Sequence, residues 1–197
     1  MPIVLNGSTN VISGLAVGGL PDGIVDTDML AANAVTAAKT TVPGVTQADQ
    51  WRVTSNFVSN NQILTSNWER HDTHGPGLVG TGMSESSGIF TFPSTGIYRI
   101  DFQVVAYRGT AQNIRFINIY ITTTTDNSSY GEASVATGSV SNDTDAYSSG
   151  FCTHTFDVTD VSTHKCRFFV QSEDDMVWQA STSTNSISAV FTRLGDT

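Results

Sequence analysis

A chain of 197 residues fits one ordinary domain with an appendage, or one large sandwich, and leaves no room for two full-sized domains. Charged residues make up only 14% of it while Ser, Thr, Asn and Gly abound, a composition of short strands joined by polar turns rather than of solvated helices. The 9 basic against 18 acidic residues give a formal charge of −9, which repels phosphate backbones and anionic lipid surfaces and argues against a nucleic-acid partner.

Taken in chain order, Met1-Pro2-Ile3-Val4-Leu5-Asn6 lacks the basic start and the apolar length of a signal peptide. No stretch approaches the roughly 18 apolar residues of a membrane span, so the expectation is a soluble, unsecreted chain made in a reducing cytoplasm, without membrane insertion. Residues 1–46 contain no aromatic residue, and a segment of Gly, Ala, Val and Thr without rings is poorly equipped to bury a core of its own. The turn cluster Gly18-Gly19-Leu20-Pro21-Asp22-Gly23 is followed by Asp26-Thr27-Asp28, which caps a predicted short helix over Met29–Lys39. Its stripe of Met29, Leu30, Ala34, Val35 and Ala38 is too narrow to stabilise an isolated helix, so the segment must dock on sister copies or a larger body. Leu20, Pro21, Met29, Leu30 and Val35 are the candidate anchoring residues, and residues 40–44 form the linker.

From there to the end, residues 47–197, period-2 segments recur between turn clusters, which predicts an all-β body. The clearest runs from Gly96 to Arg108, with Tyr98, Ile100, Phe102, Val104 and Ala106 on one face and Arg99, Asp101 and Gln103 on the other. Other candidate strands are 51–58, 62–70, 89–92, 113–123, 133–137, 150–158, 165–171, 175–179 and 186–192, enough for a two-sheet sandwich. Apolar strand positions such as Phe116, Ile119, Ile121, Phe168 and Val190 look more numerous than one thin sandwich needs, which points to burial between subunits.

Phe90-Thr91-Phe92-Pro93-Ser94-Thr95-Gly96-Ile97-Tyr98-Arg99-Ile100-Asp101-Phe102 resembles the central motif of complement C1q-like and TNF-like domains, with Phe92, Pro93, Gly96, Tyr98 and Phe102 at the matching positions. Ser188-Ala189-Val190-Phe191-Thr192-Arg193-Leu194 is similar to the last strand of that family. The resemblance implies a ten-stranded jelly roll over about residues 49–197 that packs as a homotrimer; the family's calcium-site residues have no counterpart here, so no metal is carried over. Separately, residues 14–36 resemble a segment found in tail-fibre and other appendage proteins of phages, particularly those of marine bacteria. That resemblance implies a virion structural protein whose N-terminal segment meets other virion proteins. The match brings no eukaryotic collagen stalk with it, for no Gly-x-y repeat precedes the body.

Among residues that carry chemistry, Cys152-Thr153-His154 and His164-Lys165-Cys166 stand out. Were strands 150–158 and 164–171 to pair as a hairpin centred on Thr159, Cys152 would face Cys166 and His154 would face His164. Three readings stand: a zinc site, a cross-strand disulfide, or buried thiols beside ordinary histidines. His71-Asp72-Thr73-His74 precedes a Gly-Pro-Gly loop signal and reads as loop, as does the acidic run Glu173-Asp174-Asp175. Trp51, Trp68 and Trp178 serve either as sugar-stacking rings or as core and interface anchors. No phosphate loop, nucleophile elbow or HExxH helix is present, and no cofactor or catalytic residue is expected.

The expected function is therefore a non-enzymatic virion appendage, a short trimeric fibre, spike or knob. Loops 71–82, 126–131 and 138–149 would contact a host-surface glycan or an outer-membrane receptor. A capsid decoration protein is the close alternative, favoured by the near absence of a shaft. A soluble carbohydrate-binding or depolymerase module comes third, for want of a convincing carboxylate pair.

Overall fold

The computed structural model describes residues 4–6, 11–13, 44–109 and 113–197 of the chain. The chain divides into two units, residues 1–44 and 45–197. In the first, β1 (Val4–Asn6) and β2 (Val11–Ser13) pair antiparallel, a hairpin that was not foreseen. The helix expected over Met29–Lys39 and the candidate anchors Leu20, Pro21, Met29, Leu30 and Val35 lie outside the described residues.

The second unit is all-β. Its strands are β3 (Ala48–Val53), β4 (Phe57–Ile63), β5 (Trp68–Arg70), β6 (Ser84–Ser86), β7 (Ile89–Thr91), β8 (Gly96–Tyr107), β9 (Phe116–Thr124), β10 (Gly131–Ser139), β11 (Tyr147–Val158), β12 (Lys165–Gln179) and β13 (Ser188–Gly195). One layer runs β5-β3-β13-β8-β11 and the other β10-β9-β12-β4, with β7 and β6 attached to the second through β12. Every pairing is antiparallel. The far end of β12 crosses to pair with β8 through Val177, Trp178 and Gln179, which joins the two layers into one ladder.

Eleven strands thus stand among the described residues of the body where ten were expected. The run 51–58 splits between β3 and β4, and the short β6 went unread. The segments 165–171 and 175–179 are a single strand: the ladder with β4 shifts register between Gln171 and Met176, so the acidic run bulges out instead of ending the strand. Arg115 meets that bulge, donating to Glu173 from its guanidinium and its backbone amide.

The core follows from the alternation in β8. Tyr98, Ile100, Phe102, Val104 and Ala106 are all buried, and Phe102 stacks on Phe168 of β12 with ring centroids 4.5 Å apart, across the two layers. Phe90 is the hub of the aromatic cluster, with rings of Trp51, Trp68, Phe168 and Phe191 at 5.1–5.5 Å, a spacing at which edge-to-face pairs add to plain burial. The motif before β8 is a turn: Gly96 has φ +142°, and a Cβ there would lie 2.6 Å from the Gly195 carbonyl oxygen, so only glycine fits. Phe92 packs its ring 4.7 Å from that of Tyr98, whose hydroxyl donates back to the Ser94 carbonyl at 3.0 Å. Pro93, half-buried, starts this turn.

Candidate functional site

The hairpin expected to gather Cys152, His154, His164 and Cys166 does not form. β11 pairs with β8, placing Cys152 opposite Phe102, whereas β12 pairs with β9 and β7, placing Cys166 opposite Thr123 and Phe90. The connection turns out of one layer and into the other: Asp160 accepts from the Ser162 amide and hydroxyl at 2.8 and 2.7 Å, and the His164 amide donates to the Asp160 carbonyl. β11 and β12, consecutive in sequence, therefore lie in opposite layers, a crossing common in jelly rolls. Both thiols are buried and unbridged, and burial pushes the Cys152 thiol up to about 11 and the Cys166 thiol upward as well. The two imidazoles flank one ring, His154 at 5.9 Å and His164 at 5.5 Å from Phe156. Burial lowers the His154 pKa, and the His164 ring nitrogens lie beside the Thr159 and Thr163 hydroxyls. Among the described residues no three His, Cys, Asp or Glu side chains converge as a metal site.

The segment His71-Asp72-Thr73-His74 is a clamp. Arg52, fully buried, donates to Asp72 at 2.6 Å, to Thr73 at 2.7 Å and to Glu69 at 3.3 Å, and Thr73 donates in turn to the Ser183 carbonyl. A buried guanidinium needs such partners, so the loop is held by the charge it neutralises. The tryptophans do not form an exposed platform. Trp51 and Trp178 are buried and Trp68 packs against the core, and their indole N–H groups donate to Asp49, Ser59 and Leu64 respectively.

Of the five apolar positions assigned to a subunit interface, Ile119, Ile121 and Phe168 are fully enclosed by the subunit's own core, and Phe116 and Val190 are half-buried. The apolar surplus lies elsewhere, on the outward face of the β5-β3-β13-β8-β11 layer. Tyr147 and Tyr107 stand opposite each other with rings 5.3 Å apart, Phe151 stands opposite Gln103, and Val105 and Val190 lie in the same field. Tyr147 is 62% and Phe151 55% exposed, large fractions for aromatic side chains on a sheet.

This face was legible in principle. Tyr147-Ser148-Ser149-Gly150-Phe151-Cys152 alternates in the inverted sense, with small residues inward and rings outward. The small inward residues let the layers approach: a Cβ on Gly150 would come within 3.1 Å of Ile119.

No family model and no curated protein matches the sequence. Solved structures do resemble the fold. Murine APRIL at pH 5.0 superposes with a TM-score of 0.54 at 13% identity, covering 75% of this chain and 98% of that one. Eiger TNF from S. frugiperda gives 0.55 at 11% identity, covering 78% of this chain and 96% of that one. The body is a TNF-like jelly roll, as the motif around Phe92, Pro93, Gly96, Tyr98 and Phe102 implied.

Proposed function

We propose that the protein is a non-enzymatic structural component of a bacteriophage particle, assembled as a homotrimer through the outward face of the β5-β3-β13-β8-β11 layer. The observation that carries the assembly is the pair of exposed rings Tyr147 and Phe151 beside half-buried Tyr107, Val105 and Val190, a sheet face that leaves aromatic rings in water unless a partner covers it. A second copy of the same chain is the occupant always present at matching concentration, and a closed ring satisfies each copy identically.

The virion setting rests on the resemblance of residues 14–36 to phage appendage segments, with that segment fixing the trimer to other virion proteins. A short fibre, spike or knob is the favoured form, and a capsid decoration protein differs from it only in where residues 1–46 dock. Host contact through loops 71–82, 126–131 and 138–149 belongs to the appendage form.

The test has two readings. Light scattering on the recombinant chain is expected to give three times the 21.0 kDa chain mass. Electron cryomicroscopy of intact particles then locates the trimer on tail, fibre or head lattice. A monomer absent from particles overturns the proposal.

A further inference from the structure

The outward face of the other layer, β10-β9-β12-β4, is built differently. Three rows of side chains cross its strands. The middle row is apolar, with Ile63, Phe169, Tyr120 and Val135 opposite one another in turn and the Phe169 and Tyr120 rings 5.0 Å apart. On one side Gln171 accepts from Asn118 and from the Tyr120 hydroxyl, at 3.3 and 3.1 Å. On the other side Arg167, Thr122 and Glu132 stand in line, and the Tyr130 ring stacks on Arg167.

Ile63, Thr122, Tyr130, Glu132, Arg167 and Phe169 line an open surface cavity of about 200 Å³ there. Its charges are held apart. The Arg167 guanidinium stacks 3.9 Å from the Tyr130 ring centre and donates from Nε to Thr122 at 3.4 Å, which leaves its Nη groups without a partner among the described residues. Glu132, on the same cavity, forms no ion pair or hydrogen bond with any described residue, Arg167 included. The Tyr130 hydroxyl is enclosed and likewise unpartnered. Two opposite charges facing one small space without meeting are a divided pair, in position for something that bridges them.

The wall is stiff. Asp126 accepts from the Ser128 and Ser129 amides at 2.9 and 2.7 Å and from the Thr124 hydroxyl at 2.7 Å, and the Asn127 amide donates to the Thr163 carbonyl. The loop that presents Tyr130 is thus ordered before any ligand arrives, which lowers the entropic cost of binding.

The chemistry narrows the occupant. An anion is repelled by Glu132, a cation by Arg167, and an apolar molecule leaves both charges and the tyrosine hydroxyl unmet. A neutral ring with adjacent hydroxyls meets both charges, one hydroxyl accepting from Arg167 and its neighbour donating to Glu132, while its C–H face rests on Phe169 and Ile63. The space is below the roughly 300–1,000 Å³ of pockets for drug-sized ligands, which suits a single ring. We infer that this cavity is a binding subsite for one neutral hexopyranose residue of a glycan, with Arg167 and Glu132 reading its vicinal hydroxyls. The subsite lies within one subunit, on the layer opposite Tyr147 and Phe151, and does not depend on trimer assembly.

Titration of the full-length chain with methyl glucoside, galactoside and mannoside and with N-acetylglucosamine, followed by backbone-amide NMR and calorimetry, tests this. At least one neutral sugar is expected to bind in the millimolar range and to shift the amides of Tyr130 and Phe169. Glu132→Gln, at an exposed position that the fold does not need, and Arg167→Met are each expected to weaken that sugar about tenfold or more, the worth of a charge-assisted hydrogen bond. Glucuronic acid and N-acetylneuraminic acid are expected to bind more weakly than the neutral sugars. The inference is overturned if no neutral sugar moves those amides, if folded Glu132→Gln and Arg167→Met bind as wild type does, or if an acidic sugar binds more tightly.

Discussion

Replacing Phe151 by Ser separates assembly from folding. The side chain is 55% exposed on the outward face of β11, so its removal takes little from the subunit's own core. A whole aromatic side chain buries roughly 150–250 Å², so covering the exposed half is worth about 2–3 kcal/mol at about 25 cal/mol/Å². A cyclic trimer repeats that loss three times, about 6–9 kcal/mol, or some four to six powers of ten in the assembly constant. Light scattering at micromolar concentration should therefore find the variant at the 21.0 kDa chain mass, with a far-ultraviolet dichroism spectrum unchanged from wild type. A Phe151→Ser chain that keeps the wild-type oligomeric mass refutes the assignment of this face, and so does a monomeric wild type.

The counterpart on the inward face behaves in the opposite way: Phe102→Ala removes the ring stacked on Phe168 and is expected to cost about 3–5 kcal/mol in a urea titration, with loss of assembly as a secondary effect. Asp126 is held well below its ordinary 3.8 by the Ser129 amide, the Thr124 hydroxyl and the Ser128 amide. A depressed folded pKa stabilises fully above the unfolded value and is lost as pH falls through the folded one. The Tm gap between wild type and Asp126→Asn should accordingly stay constant from neutral pH to about pH 5 and narrow below the ordinary carboxylate value, and a gap that widens on acidification contradicts this. Both thiols are enclosed and shifted upward, so an aromatic disulfide reagent should modify Cys152 and Cys166 only after unfolding; fast, stoichiometric reaction of the folded chain would contradict their placement.

What the sequence discloses depends on whether a signal is local. The strict alternation from Gly96 to Arg108 names the inward residues of β8 correctly because one face is fully enclosed and the other wet. Pro93 and Gly96 mark their turn for the same reason, backbone constraint at single positions. Glu173-Asp174-Asp175 looks like a turn because charge usually ends a strand; here a bulge turns the run aside and Arg115, 58 residues away in sequence, meets it. The cysteines and histidines are not paired in the expected hairpin because proximity in sequence suggests one while the topology sends β11 and β12 to different layers. The cavity at Arg167 was the least legible. It takes Ile63 from β4, Thr122 from β9, Tyr130 and Glu132 from either side of the start of β10, and Arg167 and Phe169 from β12, and no spacing rule connects them.

The placement of β12 and β13 bears on how the protein is made. β13 lies between β3 and β8, and β12 lies between β9 and β4, so each layer has an interior strand that is made after both of its neighbours. A nascent chain lacking residues 165–195 holds β3, β4, β8 and β9 with unpaired edges and has no local route to close them. Closure of both layers therefore waits for residues 165–195, and a chain interrupted before them leaves each sheet with its gap open and its core exposed.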